Sequence, residues 1–232
     1  MNEAAENYLK AIYKLQGDSR KVSTSALAEY LGVAPPSATS MIGRLVESGL
    51  LRHDRYHGVE LTEAGARAAL EVIRHHRLWE LFLAEALEVP LERVHDEAER
   101  LEHNLSDDLE EHLDRALGYP TVDPHGDPIP RKDGWMRPTS EYTLDDLAEG
   151  ERARVARVPD SDPALLRHLG GLGLLPGREV SVVRREPFGG PIYLEVAEGD
   201  GELAPGENRI IGQELARRIF VDRLVKMELL GG

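Results

Sequence analysis

The chain has 232 residues, 14 prolines, a formal net charge of −14 and no cysteine. The absence of cysteine excludes disulfides, thiolate metal ligands and cysteine nucleophiles, so a bound metal ion must be held by histidine nitrogens and carboxylate or amide oxygens. No segment reaches the roughly 20 consecutive apolar residues of a membrane-spanning helix. The first ten residues, MNEAAENYLK, also lack the character of a secretion signal. We therefore expect a cytoplasmic protein of two or three small domains.

The acidic side chains are concentrated in the middle of the chain. Residues 1–71 carry 8 basic and 9 acidic side chains, whereas residues 72–139 carry 8 and 16. A strongly negative protein is a poor partner for DNA, but a nearly neutral N-terminal segment can still bind it if its basic residues share one face. An acidic middle segment is typical of a cation-binding region, although ordinary solvated surfaces are acidic too.

The N-terminal segment contains three predicted helices. Residues 4–15 place apolar side chains at helical spacing, which predicts an amphipathic first helix. The string TSALAEYLG follows Ser23 or Thr24 as a candidate N-cap and predicts a short second helix. Pro35 and Pro36 suit only the first positions of a helix, so the string PPSATSMIGRLVES predicts a third.

A predicted hairpin follows the third helix. The string LLRHDRYHGVELT has two short alternating runs around a tip at His57 and Gly58. This order of elements predicts a winged helix-turn-helix DNA-binding domain over residues 1–71. Serines and threonines at a helix start are also ordinary caps, but the order as a whole favours DNA binding. The candidate DNA-contacting residues are Pro36, Ser37, Thr39, Ser40, Arg44, Arg52, Arg55, Tyr56 and His57.

The rest of the chain predicts a helical domain and a small β domain. Residues 63–87 and 90–117 predict two long helices whose apolar surface exceeds what they need for each other, which favours a homodimer. Residues 118–138 contain five prolines and predict neither a long helix nor a central strand. We therefore assign residues 72–139 to a helical metal-binding and dimerisation domain, and residues 140–232, with several short strands, to a small barrel. The fold class is mainly α with a small β C-terminal domain.

Histidines and glutamates recur at helical spacing in the middle segment. His95, Glu99, Glu102 and His103 lie at offsets 0, 4, 7 and 8, and the last three are close enough to share one ion. His76 and Glu80 are four residues apart and form a two-ligand clip that His95 could complete. A single histidine on a helix is more often an ordinary surface or core residue, but this density favours a metal site. Five other polar residues are expected to be solvated: His75, Asp96, Glu97, Glu110 and His112.

Four strings carry a resemblance to a known family: AENYLKAIYKL, HRLWE, VHDEAERLEH and HGDPIP. Over nearly its whole length the chain resembles the diphtheria-toxin-repressor family of iron- and manganese-dependent transcriptional regulators. The resemblance implies a winged helix-turn-helix, a helical dimerisation domain and an SH3-like (FeoA-like) barrel. It also implies a homodimer that binds a palindromic DNA operator in response to a divalent metal and controls metal-uptake or metal-homeostasis genes.

The resemblance also implies three sets of metal ligands. The primary set is Glu99, Glu102, His103 and, on the first helix, Asn7; the ancillary set is His76, Glu80 and His95; a set used by some manganese-dependent members is Asp123, His125 and Asp160. Asn7 departs from the Asp or Met usual at its position, and a neutral amide oxygen is a weaker ligand than a carboxylate. Glu99 stands where iron-tuned members usually have Cys, which favours Mn(II), with Fe(II) as the second candidate.

Two alternatives from other functional classes remain at this point. Histidine and glutamate also build the sites of metal-dependent hydrolases, which keep a coordination position open for water. The sequence offers no nucleophile motif or phosphate-binding loop for such an enzyme. A dimeric regulator that senses an organic ligand would leave the histidines incidental.

Overall fold

The computed structural model describes residues 1–16, 21–54, 57–198, 202–203 and 209–224. The chain divides into two compact units. Unit one comprises Met1–Trp79, Ala98–Tyr119 and Ile129–Met136, and unit two comprises Glu80–Glu97, Pro120–Pro128 and Arg137–Gly232. Among the described helices, none combines the length and the apolar character that crossing a membrane requires.

Three helices open unit one, as the sequence predicts: α1 (Glu3–Gln16), α2 (Thr24–Tyr30) and α3 (Pro35–Glu47). The Ser23 hydroxyl caps α2 by accepting a hydrogen bond from the Ala26 N–H at 3.1 Å. Prolines occupy the first two positions of α3, where no helical N–H is lost. Leu9, Ile12 and Ile42 are buried in one core that α1 shares with α3.

The predicted hairpin follows as β1 (Leu51–Asp54) and β2 (Gly58–Leu61), paired antiparallel. Its second strand is also bonded to the segment before α2, because Val22 and Val59 exchange two backbone hydrogen bonds of 2.8 Å. Gly58 has a φ of +96°, and a Cβ there would lie 2.2 Å from the Val22 carbonyl oxygen. Only glycine fits this position, so the wing depends on it.

The prediction of one long helix over residues 90–117 is wrong. After α4 (Glu63–Glu85), the chain forms α5 (Leu91–Leu101), a 3₁₀ turn (Glu102–Asn104) and α6 (Asp107–Ala116). The Ser106 hydroxyl accepts a hydrogen bond from the Leu109 N–H, which starts α6, while Leu105 is extended. Serine caps a helix better than it continues one, and Asp107 and Asp108 favour a helix N-terminus. As a result, Glu102 and His103 lie on a turn.

The last part of unit two is the small β domain that the sequence predicts. Its elements are β3 (Arg152–Arg157), α7 (Pro163–Leu172), β4 (Glu179–Arg185), β5 (Ile192–Glu198), β6 (Glu202–Leu203), β7 (Arg209–Ile211), α8 (Gln213–Ala216) and β8 (Phe220–Arg223). Among the described residues, these six strands form one antiparallel sheet in the order β6–β5–β4–β3–β8, with β7 also paired to β5. A buried aliphatic cluster that includes Val155, Leu169 and Leu194 fills the core of the domain.

The proline-rich segment forms no helix or strand, in agreement with the sequence, and its unit-two part packs on the β domain. The Val158 N–H donates to the His125 carbonyl oxygen at 3.0 Å. Gly126 has a φ of +91°, and a Cβ there would lie 1.9 Å from the Ala156 carbonyl oxygen. The glycine therefore permits a close backbone approach that fixes His125 beside the sheet.

Candidate metal centres and nucleic-acid interface

The first cluster lies in unit one, between α1 and the turn that follows α5. Asn7 lies on α1, and Glu102 and His103 lie on the 3₁₀ turn. The His103 Nε2 atom is 2.9 Å from the Asn7 Oδ1 atom and 3.3 Å from the Glu102 Oε1 atom. Three of the four side chains predicted for the primary set therefore meet at His103 Nε2. An imidazole nitrogen, an amide oxygen and a carboxylate oxygen fit a divalent cation that prefers nitrogen and oxygen ligands.

Glu6 orients the histidine of this cluster. The His103 Nδ1 atom lies 2.6 Å from the Glu6 Oε2 atom, so Nε2 faces Asn7 and Glu102. A carboxylate on the far nitrogen of a metal-binding histidine fixes its tautomer and raises its basicity. Glu6 was not among the residues predicted from the sequence, although it directly precedes Asn7 and α1 places both beside the turn.

A second group of acids and histidine adjoins the first cluster. His76 Nδ1 lies 2.6 Å from Glu102 Oε2 and 3.8 Å from Glu99 Oε1. The ligand atoms of these three residues all lie within 4.8 Å of one another, which is compatible with a metal ion. The Glu102 side chain is fully buried, so its negative charge needs a cation nearby.

Lys10 provides that cation. Its ammonium lies 2.6 Å from Glu99 Oε1, and 2.9 and 2.7 Å from the two Glu102 carboxylate oxygens. It is also 3.4 Å from His76 Nδ1. Only 5% of the lysine surface is exposed. Lys10 was not predicted from the sequence to take part in the site, because a lysine on an amphipathic helix is normally solvated.

The second cluster lies in unit two and gathers five of the predicted ligands. His95 Nδ1 is 3.1 Å from Glu80 Oε1 and 3.9 Å from Asp160 Oδ2. His125 Nδ1 is 3.7 Å from Glu80 Oε2. Ligand atoms of Glu80, Asp123 and His125 lie within 4.8 Å of one another, and all three residues are buried.

Backbone contacts hold the proline-flanked ligands of this second cluster. The Asp123 Oδ1 atom accepts hydrogen bonds from the N–H groups of His125 and Asp127, at 2.8 and 2.9 Å. Side-chain bonds of this kind fix a turn. They use one carboxylate oxygen of Asp123 and fix where the second one lies.

The electrostatics of the second cluster favour a positive charge. Burial lowers the pKa of His125, but the neighbouring carboxylates of Glu80, Asp123 and Asp160 outweigh burial and raise the pKa to about 9. Among the residues that the structure describes, no hydrogen-bond partner reaches His125 Nδ1. A buried nitrogen aimed at carboxylates with no hydrogen bond of its own fits a position that a divalent cation would fill.

One predicted ligand grouping stays untested, and two of the residues expected to be solvated are buried. The predicted grouping of His76 with Glu80 and His95 joins residues of the two units and stays a prediction. The expectation that His75 and Glu110 are solvated is wrong, because both are buried. Arg74 explains the buried acid, since its guanidinium donates to Glu110 Oε1 at 2.5 Å and to Asp114 Oδ2 at 2.6 Å.

The predicted DNA-contacting residues lie at the surface where the structure describes them. Arg52 and His57 on the hairpin have side chains that are 75% and 66% exposed. Arg55 and Tyr56 lie outside the described residues. The third helix presents its predicted residues to solvent, and these are Pro36, Ser37, Thr39, Ser40 and Arg44. The Thr39 hydroxyl donates to the Pro35 carbonyl oxygen at 3.0 Å, which leaves its lone pairs available as acceptors.

Models of three domain families match the chain in succession. The N-terminal DNA-binding domain of iron-dependent repressors matches residues 1–59, and their metal-binding and dimerisation domain matches residues 62–131. The FeoA domain, which has the SH3-like fold, matches residues 142–223. The fold class predicted from the sequence is therefore confirmed.

Relatives of known function and solved structures agree with these matches. The iron-dependent repressor IdeR of Mycobacterium leprae is 30% identical over 236 residues, which cover 96% of this chain and 98% of that protein. IdeR of Mycobacterium tuberculosis is 39% identical over 133 residues, which cover 56% of this chain and only 58% of that protein. A manganese-dependent transcriptional repressor in complex with manganese is 39% identical, with a TM-score of 0.80, over 95% of this chain and 100% of that one. ScaR with bound Cd²⁺ is 33% identical, with a TM-score of 0.74, over 97% and 100%.

Family models, relatives and solved structures all lead to one assignment. The matches run in the same order as the predicted domains and cover the first cluster and the exposed third helix. The chain therefore belongs to the iron-dependent repressor family, whose members are metal-dependent DNA-binding transcription regulators and not enzymes.

Proposed function

We propose that this protein is a dimeric repressor that binds a palindromic operator when Mn(II) is held in its metal centres, with Fe(II) as the second candidate ion. The observation that carries the choice of metal is the donor set. Every candidate ligand offers nitrogen or oxygen, since the chain has no cysteine. Oxygen-rich sites suit the harder Mn(II), whereas a thiolate would favour softer ions. The structural likeness to a repressor in complex with manganese supports this choice.

The proposal assigns a role to each predicted domain. Residues 1–71 bind DNA, residues 72–139 hold metal and dimerise, and residues 140–232 form the SH3-like domain. Glu99, Glu102, His103 and Asn7 form the primary centre. The second cluster provides a second metal centre, whose ligands are Glu80, His95, Asp123, His125 and Asp160.

The first cluster suggests how metal binding would affect DNA binding. Asn7 and His103, when they hold an ion together, would tie α1 to the turn after α5. Because α1 shares a core with α3, this tie would restrict how the DNA-binding helix moves relative to the helices of residues 72–139. DNA would then select the restricted state, which is a coupling between two sites.

A binding experiment on the protein's own genome tests the proposal. Purified protein, stripped of metal by a chelator, is incubated at fixed salt with genomic DNA fragments and with Mn(II), anaerobic Fe(II), Zn(II) or no metal. We expect selective retention of palindromic fragments with Mn(II), because a twofold dimer presents two recognition helices. Sequence-specific binding that is equal without metal would refute the metal switch.

The regulated genes follow from the same logic. A repressor that senses an abundant ion is expected to control metal-uptake or metal-homeostasis genes. In a deletion strain, transcripts of such genes should no longer respond to manganese supply. Transcripts that respond as in the parent strain would contradict this assignment.

The two alternative functions, a metal-dependent hydrolase and a regulator that senses an organic ligand, are less well supported. A metal-dependent hydrolase is excluded by membership of a repressor family. A regulator that senses an organic ligand leaves unexplained why two separate groups of histidines and carboxylates converge. Substituting Glu102→Gln distinguishes the two sensors, because metal-dependent DNA binding should be lost only if the ion is the signal.

A further inference from the structure

The first cluster and the adjoining group of His76, Glu99 and Glu102 are together called the unit-one centre. This centre contains two adjacent cation positions that share Glu102. The first faces Asn7 and His103, and its Glu102 ligand is Oε1, 3.3 Å from His103 Nε2. The second is bounded by His76, Glu99 and Glu102, with Glu102 Oε2 lying 2.6 Å from His76 Nδ1. A carboxylate with one oxygen toward each position is the arrangement expected of a bridge between two cations.

The second position already contains a positive charge. The Lys10 ammonium donates to one Glu99 oxygen and both Glu102 oxygens within 2.6–2.9 Å. An ammonium offers three hydrogen-bond donors, and this one faces three carboxylate oxygens. It therefore satisfies the same oxygen atoms that a metal ion at this position would need.

Lys10 belongs to the same helix as Asn7, one turn away. Its side chain is 7% exposed, so the ammonium is shielded from water. It cannot dissociate as a free ion does, because it is covalently attached to α1. A divalent ion at the second position would have to displace a buried ammonium or lie beside it, and both cost electrostatic energy in a buried site.

We propose that Lys10 is a built-in cation that fills the second position, so that the unit-one centre takes one divalent ion and not two. That ion binds at Asn7, Glu102 and His103. Glu99, the fourth residue proposed for the primary centre, is then held mainly by Lys10 and does not ligate the ion. The inference rests on the proposed function, because it presupposes that this unit binds metal. It makes Lys10 a determinant of metal stoichiometry.

Counting bound Mn(II) in the full-length protein tests this inference. Equilibrium dialysis gives ions per subunit, and low-temperature electron paramagnetic resonance distinguishes an isolated Mn(II) from a spin-coupled pair. The variants are Lys10→Gln and Lys10→Met, both without the charge, with Lys14→Gln as the matched control, because Lys14 is an exposed lysine of the same helix. Glu80→Gln is included in every protein to weaken the second cluster.

We expect the Lys10 variants to bind one more ion per subunit than the control, with the spectrum of a coupled pair. Unchanged counts in both variants would overturn the inference. A coupled pair in the protein that retains Lys10 would overturn it too, and that measurement does not depend on whether a variant folds. A failure of the proposed function gives a different result. If the first cluster binds no metal, His103→Ala in the protein that retains Lys10 will leave the number of bound Mn(II) ions per subunit unchanged.

Discussion

Glu6 acts on the first cluster through its contact with His103. Because its carboxylate lies 2.6 Å from His103 Nδ1, it sets which nitrogen faces Asn7 and Glu102. We expect Glu6→Gln to weaken Mn(II) binding at this centre by about 10–100-fold, the usual cost of losing such an outer partner. Calorimetric titration measures it, with exposed Glu3→Gln as the control. Equal affinities in the two variants would show that Glu6 has no orienting role.

Glu110 is a buried acid whose charge is paired. Burial raises the pKa of Glu110, but the Arg74 guanidinium, with His75 and Lys132, outweighs burial and lowers it below the usual value. An acid with a lowered folded-state pKa contributes stability above its unfolded pKa of about 4.5, and that stability is lost as the pH falls through the folded value. We expect Glu110→Gln to cost about 3–5 kcal/mol at pH 7, since it leaves Arg74 partly unpaired.

Urea unfolding at pH 7 and at pH 4 measures both effects of this substitution. The difference in unfolding free energy between wild type and Glu110→Gln should shrink at the lower pH. Glu85→Gln, an exposed glutamate of α4, is the control. A difference that does not change with pH would contradict the proposed role of the Glu110 charge.

At the scale of elements, the wing depends on one close backbone approach. Since a Cβ at Gly58 would meet the Val22 carbonyl at 2.2 Å, Gly58→Ala must displace β2 from the segment before α2. We expect Gly58→Ala to lose about 1–3 kcal/mol more than the control, because the added methyl group overpacks against the Val22 backbone. Thermal unfolding measures it. Gly49→Ala is a matched control, because Gly49 also has a positive φ but has open space around its Cβ position. If the two variants unfold alike, the close approach has no energetic consequence.

The sequence predicted most elements because their signals are local. Ser23, Pro35 and Pro36 mark helix starts without reference to the rest of the chain. The break at Ser106 was missed because apolar residues continue at helical spacing on both sides, although Ser-Asp-Asp is itself a helix-start signal. The histidine and carboxylate donors were predictable as residue types with ligand chemistry. Lys10 and Glu6 were not, because their roles depend on which long-range neighbours folding places beside them.

At the scale of the whole molecule, a net charge of −14 requires that DNA binding depend on a few basic residues. Arg44 is exposed on α3, and its loss should lower operator affinity and reduce the salt dependence of binding by about 0.9 in the log–log slope, if it contacts one phosphate. Fluorescence anisotropy at several salt concentrations measures both quantities in Arg44→Ala. Arg115→Ala, an exposed arginine of α6, is the control. An unchanged slope would place Arg44 away from the phosphates.

The sulfur-free donor set has a consequence for the environment in which this regulator can work. Peroxides inactivate thiolate sites by converting the ligand to sulfenic and higher acids. No residue of this chain can follow that route, since it has no cysteine. Mn(II) affinity should therefore be the same before and after brief exposure of the metal-free protein to peroxide. The regulator would then keep responding to its divalent ion during oxidative stress, when a thiolate-ligated sensor loses its metal.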